Sequence, residues 1–144
     1  MSVRVVVSAA EREQAFAIRC EVFVGEQEIS VDEEFDALDD EAEHLLAFDG
    51  GRPAGTCRLL GVGTATVRLG RVAVAPRFRG RGLAAELLEL ANERARAAGA
   101  GRIVLKAQLT ARGLYERCGY VVAGDGAVFL DAGIEHVEMV KALT

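Results

Sequence analysis

The chain has 144 residues, of which 51% are hydrophobic and 27% charged, a length and balance that suit one packed domain spanning residues 1–144 and exclude a disordered chain. A net charge of −5 with no tryptophan and 6% aromatic residues offers no basic, aromatic surface for nucleic acid. Apolar runs of only about four residues (Val72–Ala75) cannot cross a membrane, Met1 to Ala10 lacks a secretory pattern, and three scattered cysteines, Cys20, Cys57 and Cys118, argue for reduced thiols in a cytoplasmic protein rather than a disulfide framework or zinc module. The β-branched run Val3–Val7 opens as a strand. Ser8 or a neighbour then caps a helix that runs to about Phe23 and ends at Gly25. Residues 26–43 are polar and read as a loop with a helical turn near Asp39. His44–Asp49 and Pro53–Val62 form a hairpin about Asp49-Gly50-Gly51, and Val67–Ala75 is a further strand, stopped by Pro76. Leu83–Ala98 is the clearest helix, with Leu83, Leu87, Ala91 and Ala95 recurring every four residues and Gly99 ending it. Ile103–Ala107 is a buried strand and Ala111–Cys118 a short helix. Tyr120–Val122, Val128–Leu130 and His136–Val140 close the chain as strands.

The chemistry concentrates in Val72-Ala73-Val74-Ala75-Pro76-Arg77-Phe78-Arg79-Gly80-Arg81-Gly82-Leu83-Ala84. A strand ends, a tight turn carries two glycines one residue apart, and a long amphipathic helix starts at once. Gly80 and Gly82 let the backbone approach a ligand closely. The unpaired N–H groups at the start of the helix then face that space, and the helix dipole adds positive potential, which suits a phosphate or diphosphate. No Gly-Lys-Ser/Thr follows, so the turn is not a Walker loop; with two glycines in mid-chain it is not a dinucleotide fingerprint either.

The segment Arg77-x-x-Gly80-x-Gly82-x-Ala84, with Val72-Ala73-Val74 before it, resembles the acetyl-CoA loop of the GNAT superfamily of N-acetyltransferases. Leu114-Tyr115-Glu116-Arg117-Cys118-Gly119-Tyr120 resembles a second segment of that superfamily. Ile18-Arg19-x-x-Val22-Phe23-Val24-x-Glu26-Gln27, His44-Leu45-Leu46-Ala47 and the tail Asp131-Ala132-Gly133-Ile134-x-His136-Val137-x-Met139 are similar to its ElaA/YjcF-like branch. The resemblance implies a mixed, mostly antiparallel sheet of six or seven strands with helices on both faces, splayed at its central strands. It also implies acetyl-CoA as cosubstrate, with no metal. By the same resemblance the strand before the loop would carry a bulge, where backbone groups of Val72, Ala73 and Val74 hold the pantetheine arm and the thioester carbonyl, and Arg77, Phe78, Arg79, Gly80, Arg81, Gly82, Leu83 and Ala84 would hold the phosphates. The expected reaction is direct attack of a primary amine on the thioester, in a ternary complex. Homodimers are common among such proteins.

Tyr115 stands at the position whose hydroxyl, by that resemblance, faces the CoA sulfur, where a phenol stabilises a departing thiolate. No carboxylate lies on Val67–Ala75, so the base is sought among Glu26, His136 and His44, or in a water chain. Charge is uneven: residues 1–50 hold 3 basic and 14 acidic side chains, residues 51–144 hold 14 and 8. The two halves should present opposite fields if folding keeps them apart. Eight of the twelve residues in Asp32–Glu43 are carboxylates, and beside the acceptor they would draw in a cationic amine. Two other readings stand beside this one. The chain is also similar to acyl-homoserine lactone synthases, through Arg19-x-x-Val22-Phe23, Glu34-Phe35-Asp36-x-x-Asp39 and Arg58-Leu59-Leu60, although those proteins carry a tryptophan that this chain lacks. A non-enzymatic acetyl-CoA-binding module would keep the loop and need no acceptor pocket.

Overall fold

The computed structural model describes residues 1–144. Eight strands form one sheet: β1 (Ser2–Val5), β2 (Glu43–Asp49), β3 (Arg52–Leu60), β4 (Thr66–Val74), β5 (Arg102–Gln108), β6 (Val121–Val122), β7 (Phe129–Asp131) and β8 (Ile134–Ala142). The order across the sheet is β1-β2-β3-β4-β5-β8-β6, with β7 also on β8. Every neighbouring pair is antiparallel except β4 and β5. The expected count of six or seven strands falls short because β6 and β7 are separate fragments of one edge. They pair with Met139–Val140 and with Ile134–His136 of the same strand.

Helix α1 (Ala9–Arg19) lies on one face. Ser8 Oγ accepts from the Glu11 N–H at 3.1 Å and the Glu11 carboxylate accepts from the Val7 N–H at 3.1 Å, so the first turn is capped from both sides. Ala15, Ile18, Val22 and Phe23 pack on Leu46, Phe48 and Ala73. The helix does not end at Gly25. It continues through Cys20–Glu26 with widened π-helical turns, Gln27 N–H reaching Val22 O at 3.0 Å; Gly25 does not take the left-handed conformation, which falls on Glu28 instead, at φ 59°. A short α2 (Val31–Glu34) and a 3₁₀ turn at Ala37–Asp40, capped by Asp36, follow in the stretch expected to be mainly loop.

On the other face, α3 (Leu83–Ala97) buries Leu83, Leu87, Ala91 and Ala95 at 0–1% exposure. It lies so near the sheet that a Cβ on Gly55 would stand 3.2 Å from Leu87 Cδ1. Side chains alternate along the strands, so Leu45, Cys57, Leu59, Val67, Leu69, Ile103 and Leu105 join α3 in the larger core. Helix α4 (Arg112–Arg117) completes this side, with Tyr115 and Tyr120 edge-on at 5.9 Å. No helix is long and apolar enough to cross a membrane.

Candidate active site

The parallel pairing of β4 with β5 runs only from Thr66↔Arg102 to Leu69↔Leu105. Beyond that point the strands part, so Gly70–Val74 keep one edge of main-chain groups without a strand partner. An extended chain bearing amides can pair with such an edge. The gap opens into a cleft of about 1370 Å³, above the range of roughly 300–1,000 Å³ for drug-sized ligands. It has room for a large ligand and a second molecule. Val72, Ala73 and Val74 line one wall; Gln108, Tyr115 and His136 line the other.

The glycine-rich turn closes one end. Gly80 and Gly82 both have φ 80°, and a Cβ added to either meets nothing within 4 Å. The main-chain N–H groups from Gly80 to Ala85 make no hydrogen bond; the first of α3 is Glu86 N–H to Gly82 O at 3.2 Å. Gly82 caps the helix without a side chain. Six consecutive unpaired amides beside open space fit a diphosphate, and so fit the donor the sequence implies. Phe78, Arg79, Gly80, Gly82, Leu83 and Ala84 line the cleft, whereas Arg77 and Arg81 do not. Arg77 pairs with Glu21 at 2.9 Å and Arg81 with Asp49, and both guanidiniums lie over the Phe78 ring. Arg79 is at the cleft but engaged: it donates to both Glu26 oxygens, at 2.6 and 2.8 Å, and to Val74 O at 3.0 Å. The arginines therefore brace the loop, and positive potential toward a ligand comes chiefly from the main chain.

Tyr115 is buried, lines the cleft and donates to no protein group. Burial pushes its hydroxyl above the ordinary phenol range, so it stays protonated and able to donate. His136 lies across the cleft on β8. Its Nδ1 is 2.7 Å from Ile134 O and its ring stacks on Phe129 with centroids 5.9 Å apart. A carbonyl accepts, so Nδ1 donates, and Nε2 has no protein partner. Glu26 also lines the cleft, but the Arg79 hydrogen bonds hold its carboxyl below the usual range, which makes it a weak base. His44 is elsewhere: it is buried against Phe16, its Nε2 2.9 Å from Asp39 O, and it does not reach the cleft. Its role is structural.

The profile of the acetyltransferase (GNAT) domain matches residues 7–143. The chain belongs to the GNAT acetyltransferase family. It is 37% identical over 130 residues to YjcF, an uncharacterized N-acetyltransferase of Bacillus subtilis, covering 88% of this chain and 89% of that one. A crystal structure of an acyl-CoA N-acyltransferase from Pseudomonas aeruginosa superposes with TM-score 0.82 at 30% identity, covering 98% and 97% of the two chains. Escherichia coli ElaA superposes with TM-score 0.83 at 21% identity, covering 97% and 98%; at that identity the likeness speaks for the fold. The protein is a GNAT acyltransferase of the ElaA/YjcF-like type, and its chemistry is acyl transfer from acetyl-CoA. The reading as a binding module without activity is thereby set aside.

The GNAT cleft has a buried ionic wall that the sequence did not announce. Arg19, only 1% exposed, donates to Glu34 at 2.9 Å and to Asp39 at 2.8 Å. Arg58 bridges Asp36 at 2.8 Å and Asp39 at 2.9 Å. Burial pushes the Asp39 carboxyl up, but the two guanidiniums outweigh it and hold it at about 2; in Glu34 burial wins and the carboxyl lies above its ordinary range. The acidic stretch is therefore partly an internal counterion to arginines, and of its carboxylates Glu33, Glu34 and Asp36 line the cleft. The charged residues behind the likeness to acyl-homoserine lactone synthases, Arg19, Glu34, Asp36, Asp39 and Arg58, are all members of this network. Arg71 joins it from β4, where it has φ 54°, a left-handed conformation that costs a non-glycine residue about 1–3 kcal/mol. Gln27 and Gln108, hydrogen-bonded at 2.8 Å, tie the end of the first helix to β5. The signal available for these residues was the excess of carboxylates between two arginines, without the pairing.

Proposed function

We propose that the protein transfers the acetyl group of acetyl-CoA to a primary amine by direct attack, with both substrates bound in the cleft at once. The observation that carries this reading is the parting of β4 from β5 directly beside six unpaired amides. One ligand can lie along a strand edge with its diphosphate at a helix start, and the space toward Arg68, Lys106 and Glu138 stays open for a second. The amine enters neutral, its nitrogen bonds to the thioester carbon, the C–S bond breaks, and the proton lost by nitrogen ends on sulfur. Tyr115 supplies a hydrogen bond to the departing sulfur. Its raised pKa makes it a poorer acid than a thiol, so it stabilises the charge without surrendering its proton. His136 Nε2 accepts the amine proton first and then releases it toward the departing sulfur, a role its bound Nδ1–H prepares and Glu26, paired with Arg79, does not share. Neither Cys57 nor Cys118 is an activated nucleophile, since burial pushes the Cys57 thiol far up and raises that of Cys118, the reverse of an activated thiolate, and Cys20 does not line the cleft.

The test is thiol release from acetyl-CoA with a panel of primary amines, run on the wild type and on Tyr115→Phe. Amine-dependent release that falls ten-fold or more in the variant, with CoA affinity held, supports the reading. Tight acetyl-CoA binding with no release on any amine refutes it.

A further inference from the structure

Opposite Cys57, strand β4 carries one residue too many. Thr56 faces Ala73 and Arg58 faces Gly70, leaving Arg71 and Val72 as a bulge. The bulge lies where β4 has lost its partner on the β5 side, so the main-chain groups facing the cleft take their direction from it. Arg71 adopts φ 54° there, although a glycine would adopt it without strain. Its side chain has a specific use. Nε donates to Glu34 O at 3.1 Å, Nη2 lies 3.4 Å from Glu33 O and 3.4 Å from the Asp36 carboxylate, and Nε is 3.2 Å from the Glu34 carboxylate. Glu34 is in turn held by Arg19, and Asp36 by Arg58.

We infer that Arg71 is a positioning residue for acyl transfer: its guanidinium ties the β4 bulge to the main chain of α2, and so fixes the strand's cleft-facing groups and the acidic wall in one geometry. The inference rests on the reading of the cleft as the acetyl-transfer site. A fork of donors is needed because the targets are two successive carbonyls and two carboxylates, which a lysine can meet only in part. Arginine in a strained conformation thus serves where glycine would relieve the backbone but lose the tie.

The experiment compares Arg71→Gly, Arg71→Ala and Arg71→Lys with the wild type. Both truncations should lower kcat at least 30-fold while the calorimetric Kd for CoA weakens by less than ten-fold, since the β4 edge that receives the pantetheine is loosened but the loop amides are untouched. Glycine, free of strain, should be the more heat-stable of the two and no more active. Lysine should restore part of kcat. Hydrogen exchange of the β4 amides from Gly70 to Val74, measured without any substrate, should quicken in both truncations. Wild-type kcat in Arg71→Gly, or unchanged exchange there, overturns the role assigned to Arg71. If the wild type itself acetylates no amine, the reading of the cleft fails, and the exchange data show separately whether the tie exists.

Discussion

Replacing Gly82 by valine puts two separate demands on the protein, and a matched control can divide them. The first is strain: Gly82 has φ 80°, and an L-residue in the left-handed region costs roughly 1–2 kcal/mol. A Cβ there meets nothing within 4 Å, so no clash adds to this, and the loss in Tm should be about 3–8 °C. The second demand falls on binding, because the side chain would stand in the open space that the amides from Gly80 to Ala85 face. A hydrogen bond to a charged group contributes about 1.5–3 kcal/mol. Blocking two of them weakens CoA by about 3–6 kcal/mol, on the order of 10²- to 10⁴-fold in Kd. Gly50→Val provides the control. Gly50 has φ 60° with nothing within 4 Å, yet it sits in the β2–β3 turn and does not line the cleft. Both variants should lose similar Tm in a thermal scan, while calorimetry finds CoA binding weakened about 100-fold or more only in Gly82→Val. A Gly82→Val protein that binds CoA within three-fold of the wild type would show that the loop amides are not the diphosphate site.

Other substitutions probe the remaining links. Arg77→Ala and Arg81→Ala should each change the calorimetric Kd for CoA by less than three-fold, because their guanidiniums face Glu21, Asp49 and Phe78; a loss beyond ten-fold would assign them to the phosphates. His136→Gln should cut kcat at least ten-fold in steady-state assays with CoA affinity unchanged, and full activity would return the base to Glu26 or to water. Arg19→Met leaves Glu34 and Asp39 buried with one cation fewer, at a cost of about 3–5 kcal/mol, which a thermal scan should read as a fall of roughly 6–20 °C. Asp39, held at about 2 against an ordinary 3.8, stabilises the fold above pH 3.8 by about 2 kcal/mol and loses that contribution as pH falls through 3.8 toward 2. Asp39→Asn should therefore unfold more readily at pH 7 in urea and show a shallower decline between pH 4 and 2; an unchanged acid limb would remove Asp39 from the network's energetics.

What could be read from residue order was local. The α3 stripe, the Gly50-Gly51 hairpin and the strand–turn–helix at Val72–Ala84 each have a short-range cause, and the structure has them within a residue or two. Three features escaped because their causes are long-range. The π-helical continuation past Arg19 places that side chain against Glu34 and Asp39, partners 15 and 20 residues away, and nothing in Cys20–Glu26 alone signals it. The β4 bulge is implied by the resemblance, but its place at Arg71 and Val72 arises from register against β3, which periodicity along one strand does not contain. Glu26 was identified as reaching the cleft, but its pairing with Arg79, 53 residues on, reverses its chemical meaning from base to brace.

The same long-range pairing disposes of the expected separation of fields. Eight of the fourteen ion pairs join a carboxylate of residues 1–50 to an arginine of residues 51–144: Arg58 and Arg71 with Glu34, Asp36 and Asp39, then Arg77–Glu21, Arg79–Glu26, Arg81–Asp49 and Arg94–Glu43. The acidic half is thus largely the counterion of the basic half. For catalysis this matters in two ways. At the donor end, carboxylates on Arg77, Arg79 and Arg81 leave attraction for the diphosphate to directional amides, which select by geometry more than by charge. Under the proposed function, Glu34 and Asp36, which line the cleft, are already matched to arginines, so toward an amine they would be less a magnet than a rigid wall. Under that reading, selectivity for the acceptor should depend on shape along β4, and the contribution of the paired wall should respond only weakly to salt.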